Sequence, residues 1–122
     1  MSRAILVVED DEHIRQFVKT VLSREGYEVI IAANGVSALM QIKCHAPDLI
    51  LLDMHMPRMN GNAFLSVYST MQERVPVVVV TVDPLTISSR EATVVEKVLV
   101  KPFTMDELLD CVQEFLPPGF EG

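Results

Sequence analysis

The feature that most constrains the fold of this chain is a fivefold alternation of short apolar runs and longer amphipathic stretches. Runs rich in Val, Ile and Leu and bounded by turn signals are typical of strands that are buried on both faces. The predicted strands are residues 3–8, 27–32, 49–52, 77–80 and 97–100. Strands that alternate with helices predict a single parallel sheet with helices on both of its faces.

The predicted helices are marked by capping residues as well as by apolar periodicity. Asn34 is placed to cap the second helix, and the third helix follows Gly61. The last helix, about residues 104–116, has a capping box formed by Thr104 and Glu107. The stretch 83–93 holds a proline, two serines and two threonines, so it predicts only a short or mobile fourth helix.

Length, charge and cysteine content bound the class of protein. The 122 residues are enough for one domain, which we place at residues 1–118, with a tail or linker remnant at 119–122. The formal net charge of -7 argues against direct nucleic-acid binding and against an anionic membrane surface. Cys44 and Cys111 lack metal-ligand spacing and predict free thiols. Without a visible signal peptide or membrane span, the sequence predicts a cytoplasmic protein.

Polar side chains stand where four of the five predicted strands end. The stretch 47–61 shows this most clearly, because Asp53 follows a buried run and precedes a loop rich in turn formers. Right-handed crossovers bring the carboxyl ends of parallel strands to one rim of the sheet, where ligands bind. The side chains expected at this rim are Glu9, Asp10, Asp53, Thr81 and Lys101.

This set of side chains suits phosphoryl transfer. Crowded carboxylates repel one another unless a cation is present, and Mg²⁺ is suited to a site that offers a few carboxylates and leaves room for water and a phosphate oxygen. A neighbouring ammonium group and a hydroxyl can stabilise the charge on a phosphoryl group in transfer. The sequence therefore predicts a Mg²⁺ site in which Asp53 is the nucleophile and forms an aspartyl phosphate.

The chain resembles the receiver domains of two-component response regulators. The resemblance covers roughly residues 3–116, and the order and spacing of its motifs are more specific than any single motif. The matching segments are residues 5–11, 47–53, 56–61, 77–81 and 100–103. It implies a (βα)5 doubly wound, flavodoxin-like sheet with strand order 2-1-3-4-5, similar to that of the chemotaxis regulators.

The resemblance also implies roles for individual residues. Asp53 would accept a phosphoryl group from a phosphohistidine on a sensor histidine kinase or a histidine phosphotransfer protein. Glu9, Asp10, Asp53 and the backbone carbonyl of His55 would hold Mg²⁺. The implied switch residues, which would contact the phosphoryl group, are Thr81 and Lys101. Their contacts would change the face built from the fourth helix, the fifth strand and the fifth helix, which meets an output domain or a downstream protein. Such a domain modifies only itself and is not an enzyme in the usual sense.

Several positions depart from the family pattern. Val98 stands where the family usually carries an aromatic residue that rotates on activation, and Val82 stands where a small residue is usual. The segment between Thr81 and Lys101 is slightly short and lacks the common Gly-Ala.

His55 and Asp83 lie where the family tunes the lifetime of the phosphoryl group, and we expect them to influence the attacking water.

Two other functions are compatible with this fold. A pseudo-receiver would keep the fold as a protein-interaction module without phosphorylation; Val82 and Val98 favour this alternative, whereas the complete set of rim residues argues against it. A phosphohydrolase with an aspartyl nucleophile would place a general acid two residues later, where His55 stands, but the neighbouring residues do not match such enzymes.

Overall fold

The computed structural model of the protein describes residues 3–56 and 59–117. Pro57 and Arg58 of the loop motif, and the predicted tail at 119–122, lie outside the described residues. Five parallel strands form one sheet in the order β2-β1-β3-β4-β5, which confirms the predicted topology. The strands are β1 Ala4–Val8, β2 Glu28–Ala32, β3 Leu49–Asp53, β4 Val77–Thr81 and β5 Lys97–Val100.

In the part of the chain that the structure describes, four α-helices flank the sheet, and a side chain caps the start of each. They are α1 Glu12–Arg24, α2 Gly35–Cys44, α3 Gly61–Tyr68 and α4 Met105–Phe115. Asn34 caps α2, and Thr104 with Glu107 forms the predicted capping box of α4. Asp11 and Asn60 cap the other two helices, accepting from backbone N–H groups in the first turn.

The predicted fourth helix does not form as an α-helix. Two short 3-10 helices, Pro84–Thr86 and Glu91–Val94, take its place. Hydroxyl side chains in this stretch bond to nearby backbone, as when Thr86 Oγ1 donates to the Asp83 carbonyl at 2.8 Å and Thr93 Oγ1 to the Arg90 carbonyl at 3.0 Å. Such local bonds compete with helical ones, and the two short turns result.

The three central strands, β1, β3 and β4, pack against helices on both faces. Alternate residues of β1 and β4 therefore enter two separate cores: Ile5 and Val78 belong to the core with α1 and α4, whereas Leu6 and Val77 belong to the core with α2 and α3. This double burial explains why the strands are continuously apolar and why polar residues appear only at their ends.

Cys44 and Cys111 are free thiols, as predicted. Among the described residues, none of the helices combines the length and the hydrophobicity that a membrane span requires.

Candidate functional site

The three predicted carboxylates meet at the carboxyl end of the sheet. In the register of β1 with β3, Val8 lies opposite Leu52, so Glu9 and Asp53 emerge side by side. One carboxylate oxygen each from Glu9, Asp10 and Asp53 lies within 4.8 Å of the others. Glu9 and Asp53 are each only 3% exposed, whereas Asp10 is open to solvent. The site is thus a buried acidic pair with a third carboxylate at its mouth.

Lys101 supplies a positive charge to this acidic cluster. Its Nζ lies 3.1 Å from Glu9 Oε1 and 3.6 Å from Asp53 Oδ1. The position follows from the pairing of β5 with β4, in which the Lys101 N–H donates to the Thr81 carbonyl at 2.8 Å. The side chain of Lys101 is 16% exposed, so its charge acts in a largely dehydrated setting where electrostatic interactions are strong.

Burial and crowding perturb the two inner carboxyl groups. Burial, followed by repulsion from Asp53, raises the pKa of Glu9 from its ordinary value of 4.5 to about 7, against the opposing effect of Lys101. Burial also raises the pKa of Asp53, while the His55 N–H and the Lys101 charge act to lower it. The Glu9 and Asp53 carboxylates therefore lack enough compensating positive charge in the metal-free protein.

The donor set fits a hard divalent cation. Three carboxylates face one ammonium group, so the cluster carries excess negative charge that a bound cation would balance. Carboxylate oxygens are the ligands that Mg²⁺ and Ca²⁺ prefer, and Mg²⁺ commonly takes one or two carboxylates together with water and phosphate oxygens. The chain can therefore hold a metal at Glu9, Asp10 and Asp53.

Thr81, the last residue of β4, is fully buried. Its hydroxyl accepts a hydrogen bond from the Asp83 N–H and donates to the Asp83 carbonyl, each at 3.2 Å. It also lies 3.4 Å from the Thr86 hydroxyl. In this structure the Thr81 hydroxyl is therefore bonded into the segment that follows β4.

The two positions predicted to tune phosphoryl lifetime lie on exposed loops. The His55 N–H donates to Asp53 Oδ1 at 3.2 Å, so the backbone at His55 is in direct contact with the expected phosphoacceptor. Asp83 caps the first 3-10 helix through a bond from the Leu85 N–H to Asp83 Oδ1 at 3.0 Å. Their effect on phosphoryl lifetime stays a prediction.

The two unusual valines occupy different surroundings. Val82 is 63% exposed and lines an apolar groove of about 440 Å³ with residues of α1 and with Lys101, Pro102 and Phe103. Val98 is half-buried on β5.

Arg15 is a residue of this site that the sequence argument missed. Its Nη1 donates to the Glu9 carbonyl at 2.9 Å and to the Asp10 carbonyl at 3.5 Å, which ties α1 to the acidic loop. The available signal was a basic residue one turn into a helix that begins directly after a run of acidic residues.

The fold and the site together define a class: a five-stranded, doubly wound α/β domain with an acidic cluster and a lysine at the carboxyl rim of its sheet. The protein-family model for the response regulator receiver domain matches residues 5–113 of this chain. The chain therefore belongs to that family. Members of the family act in two-component systems with histidine kinases and output domains.

Individual relatives agree with this assignment. Sporulation initiation phosphotransferase F of Bacillus subtilis (strain 168) is 35% identical over 121 residues, which cover 96% of each chain. Response regulator MprA of Mycobacterium bovis (strain BCG / Pasteur 1173P2) is 37% identical over 112 residues, 89% of this chain but only 48% of that protein. The chain thus spans about half the length of MprA.

A solved structure shows the same fold. Response regulator protein TrrA of Thermotoga maritima, crystallised in complex with Mg²⁺ and BeF, has a TM-score of 0.84 and 30% sequence identity. The match covers 93% of this chain and 98% of that one.

Proposed function

We propose that this chain is a phosphoacceptor receiver domain in which Asp53 takes a phosphoryl group from a phosphohistidine. The donor is a sensor histidine kinase or a histidine phosphotransfer protein. The observation that carries the proposal is the meeting of the carboxylates of Glu9, Asp10 and Asp53 within 4.8 Å, with Lys101 Nζ 3.6 Å from Asp53. The TrrA structure supports it, because a relative with this fold holds Mg²⁺ and BeF.

Asp53 performs the covalent step. One of its carboxylate oxygens attacks phosphorus, the bond between phosphorus and the imidazole nitrogen breaks, and the imidazole keeps the electron pair. Mg²⁺ bound by Glu9, Asp10, Asp53 and the backbone carbonyl of His55 would neutralise charge on the transferring group. The Lys101 ammonium would pair with a phosphoryl oxygen in place of its present contact with Glu9.

Thr81 and Lys101 convert phosphorylation into a change of shape. The Thr81 hydroxyl would exchange its bonds to Asp83 for one to a phosphoryl oxygen, and this contact exists only in the phosphorylated state. The surface that responds is the one formed by the two 3-10 helices, β5 and α4. Its occupant would be an output domain or a downstream protein.

Binding of beryllofluoride, a phosphoryl mimic, tests this function. In the presence of Mg²⁺ it should bind the protein tightly, and Asp53→Asn should abolish binding. A protein that folds normally yet binds beryllofluoride no better than the Asp53→Asn variant would instead be a pseudo-receiver, the alternative that Val82 and Val98 favour.

A further inference from the structure

The side chain of Asn62, in the first turn of α3, joins that helix to the segment after β4. Its Nδ2 donates to the Thr86 carbonyl at 2.8 Å, and its Oδ1 accepts from the Ser88 N–H at 3.0 Å. One amide therefore satisfies two backbone groups that are two residues apart. We call this pair of bonds the Asn62 clamp.

The clamp acts on a segment that has few other attachments. Leu85 is 90% exposed, and Asp83 and Pro84 are open to solvent as well. Ile87 is the residue of this stretch that packs, partly buried, against the core of α2 and α3. A segment with so little buried apolar surface depends strongly on individual polar contacts.

The segment that is hydrogen-bonded to Asn62 also makes hydrogen bonds to the Thr81 side chain. Thr86 Oγ1 lies 3.4 Å from the Thr81 hydroxyl and donates to the Asp83 carbonyl, which also accepts from Thr81. The same Thr86 residue thus meets Thr81 through its side chain and Asn62 through its carbonyl. A continuous set of hydrogen bonds runs from β4 through Thr86 to α3.

A cleft next to these hydrogen bonds leaves room for the segment after β4 to move. A cleft of about 480 Å³ is lined by Asn62 and Thr86 on one side and by Met54, His55 and Met56 of the loop after β3 on the other. Residues 84–88 can therefore shift without displacing a fully buried side chain.

We propose that Asn62 is a positioning residue of the switch: its clamp keeps residues 86–88 in the arrangement that bonds the Thr81 hydroxyl to Asp83, and the clamp opens when Thr81 turns to the phosphoryl group. This inference rests on the proposed phosphoacceptor function. It provides a route from Thr81 to α3 that does not need an aromatic ring at Val98, where this chain has none.

Beryllofluoride affinity in the presence of Mg²⁺ tests the proposal. Opening the clamp costs free energy, so Asn62→Leu, which is similar in size but makes neither bond, should bind beryllofluoride about fivefold more tightly. Asn34→Ala is the matched control. It removes a side-chain bond to the Ser37 N–H at the start of α2, the helix that follows the edge strand β2. Its affinity should equal that of the unsubstituted protein.

A double substitution separates a positioning role from a general loss of stability. In a Thr81→Ala background, Asn62→Leu should no longer raise the affinity, because the clamp acts through the Thr81 hydroxyl. An Asn62→Leu affinity that is unchanged or weaker, or a gain that persists without Thr81, would overturn the inference. The proposed function would survive such a result as long as binding still depends on Asp53, and it would fail on its own if that dependence were missing.

Amide exchange in the unsubstituted protein supplies a measurement that needs no variant. The Ser88 N–H is bonded to Asn62 in the structure and should exchange faster after beryllofluoride and Mg²⁺ are added. Exchange at Ser88 that stays equal or becomes slower contradicts opening of the clamp.

Discussion

The Lys101 ammonium lies 3.1 Å from a carboxylate oxygen of Glu9, a residue 92 positions away in the chain. The contact joins the end of β5 to the end of β1. These strands are not neighbours in the sheet, because β3 and β4 lie between them. Lys101 is hydrogen-bonded to Glu9 and lies 3.6 Å from Asp53 Oδ1, so the energetics of the acidic pair depend on the presence of this ammonium group or of a metal ion.

Replacing Lys101 with methionine should destabilise the metal-free protein at pH 8 by about 3 kcal/mol, because it leaves the buried carboxylates of Glu9 and Asp53 without their partner. Urea unfolding in the presence of a chelator measures this loss. Lys97→Met is the control, since Lys97 pairs with Glu114 on the exposed surface at the other end of β5 and should matter little. Equal losses in the two variants would contradict the role given to Lys101.

The raised pKa of Glu9 predicts an unusual pH dependence of stability. In the folded metal-free protein its pKa is about 7, against an ordinary value of 4.5, so between these pH values the folded state binds more protons than the unfolded state. The free energy of unfolding should therefore fall as pH rises through this window, by about 3 kcal/mol. The raised pKa of Asp53 acts in the same direction.

Urea unfolding at pH 5 and pH 8 with a chelator tests this dependence. Glu9→Gln should flatten the decrease, whereas Glu12→Gln, which alters an exposed residue in the first turn of α1, should preserve it. Saturating Mg²⁺ should reverse the trend, because the cation binds the deprotonated carboxylates. A stability that rises with pH in the unsubstituted metal-free protein would contradict the electrostatic description of the site.

The acidic cluster predicts which of two adjacent aspartates binds metal. Asp10→Asn should weaken Mg²⁺ binding by at least about tenfold, since it removes one of the three clustered carboxylates. Asp11→Asn also removes one negative charge, but asparagine retains the acceptor that caps α1 through the Ile14 N–H. Its effect should be small. Calorimetric titration with Mg²⁺ measures both, and similar affinities in the two variants would argue against ligation by Asp10.

Gly61 is required by close packing against the loop that follows Asp53. A Cβ on Gly61 would lie 2.8 Å from Met54 Cα, so Gly61→Ala must displace backbone next to Asp53. We expect a loss of about 2 kcal/mol in the free energy of unfolding, together with weaker beryllofluoride binding.

Gly26→Ala is the matched variant for this prediction. Gly26 has a φ of +93° but has space for a methyl group, so alanine there should cost about 1 kcal/mol through backbone strain alone. Beryllofluoride binding should be normal in this variant. Unchanged binding in Gly61→Ala would show that Met54 does not transmit the displacement to Asp53.

His55 and Asp83 are predicted to shape the water that hydrolyses the aspartyl phosphate. His55→Ala and Asp83→Asn should each lengthen the lifetime of the phosphorylated form by about threefold or more, if each side chain helps to orient that water. Asparagine at position 83 keeps an acceptor for the Leu85 N–H, so the first 3-10 helix is preserved. The decay of phosphoprotein after removal of the donor measures the lifetime, and unchanged decay in both variants would remove the role.

Local patterns account for the parts of the structure that were predictable. Apolar runs such as β4 predict strands because side-chain alternation and burial are local properties, and Thr104 with Glu107 predicts a helix start because both partners lie within one turn. The segment between β4 and β5 fails to form an α-helix for a related reason, since its hydroxyl-bearing and proline residues favour short turns. The sequence showed that weakness, although the two 3-10 helices could not be placed from it.

The sequence by itself determined a single parallel sheet and the rim at which its polar residues gather, because these follow from periodicity and right-handed crossovers. Motif spacing identified the family, and the strand order was implied only by that resemblance. Tertiary structure alone decided the Lys101–Glu9 contact, the raised pKa of Glu9, the tie from Arg15 to the acidic loop and the Asn62 clamp. Each of these depends on the register of non-adjacent strands, or on the burial and exact approach of side chains from separate elements, and neither is encoded within any one stretch of the chain.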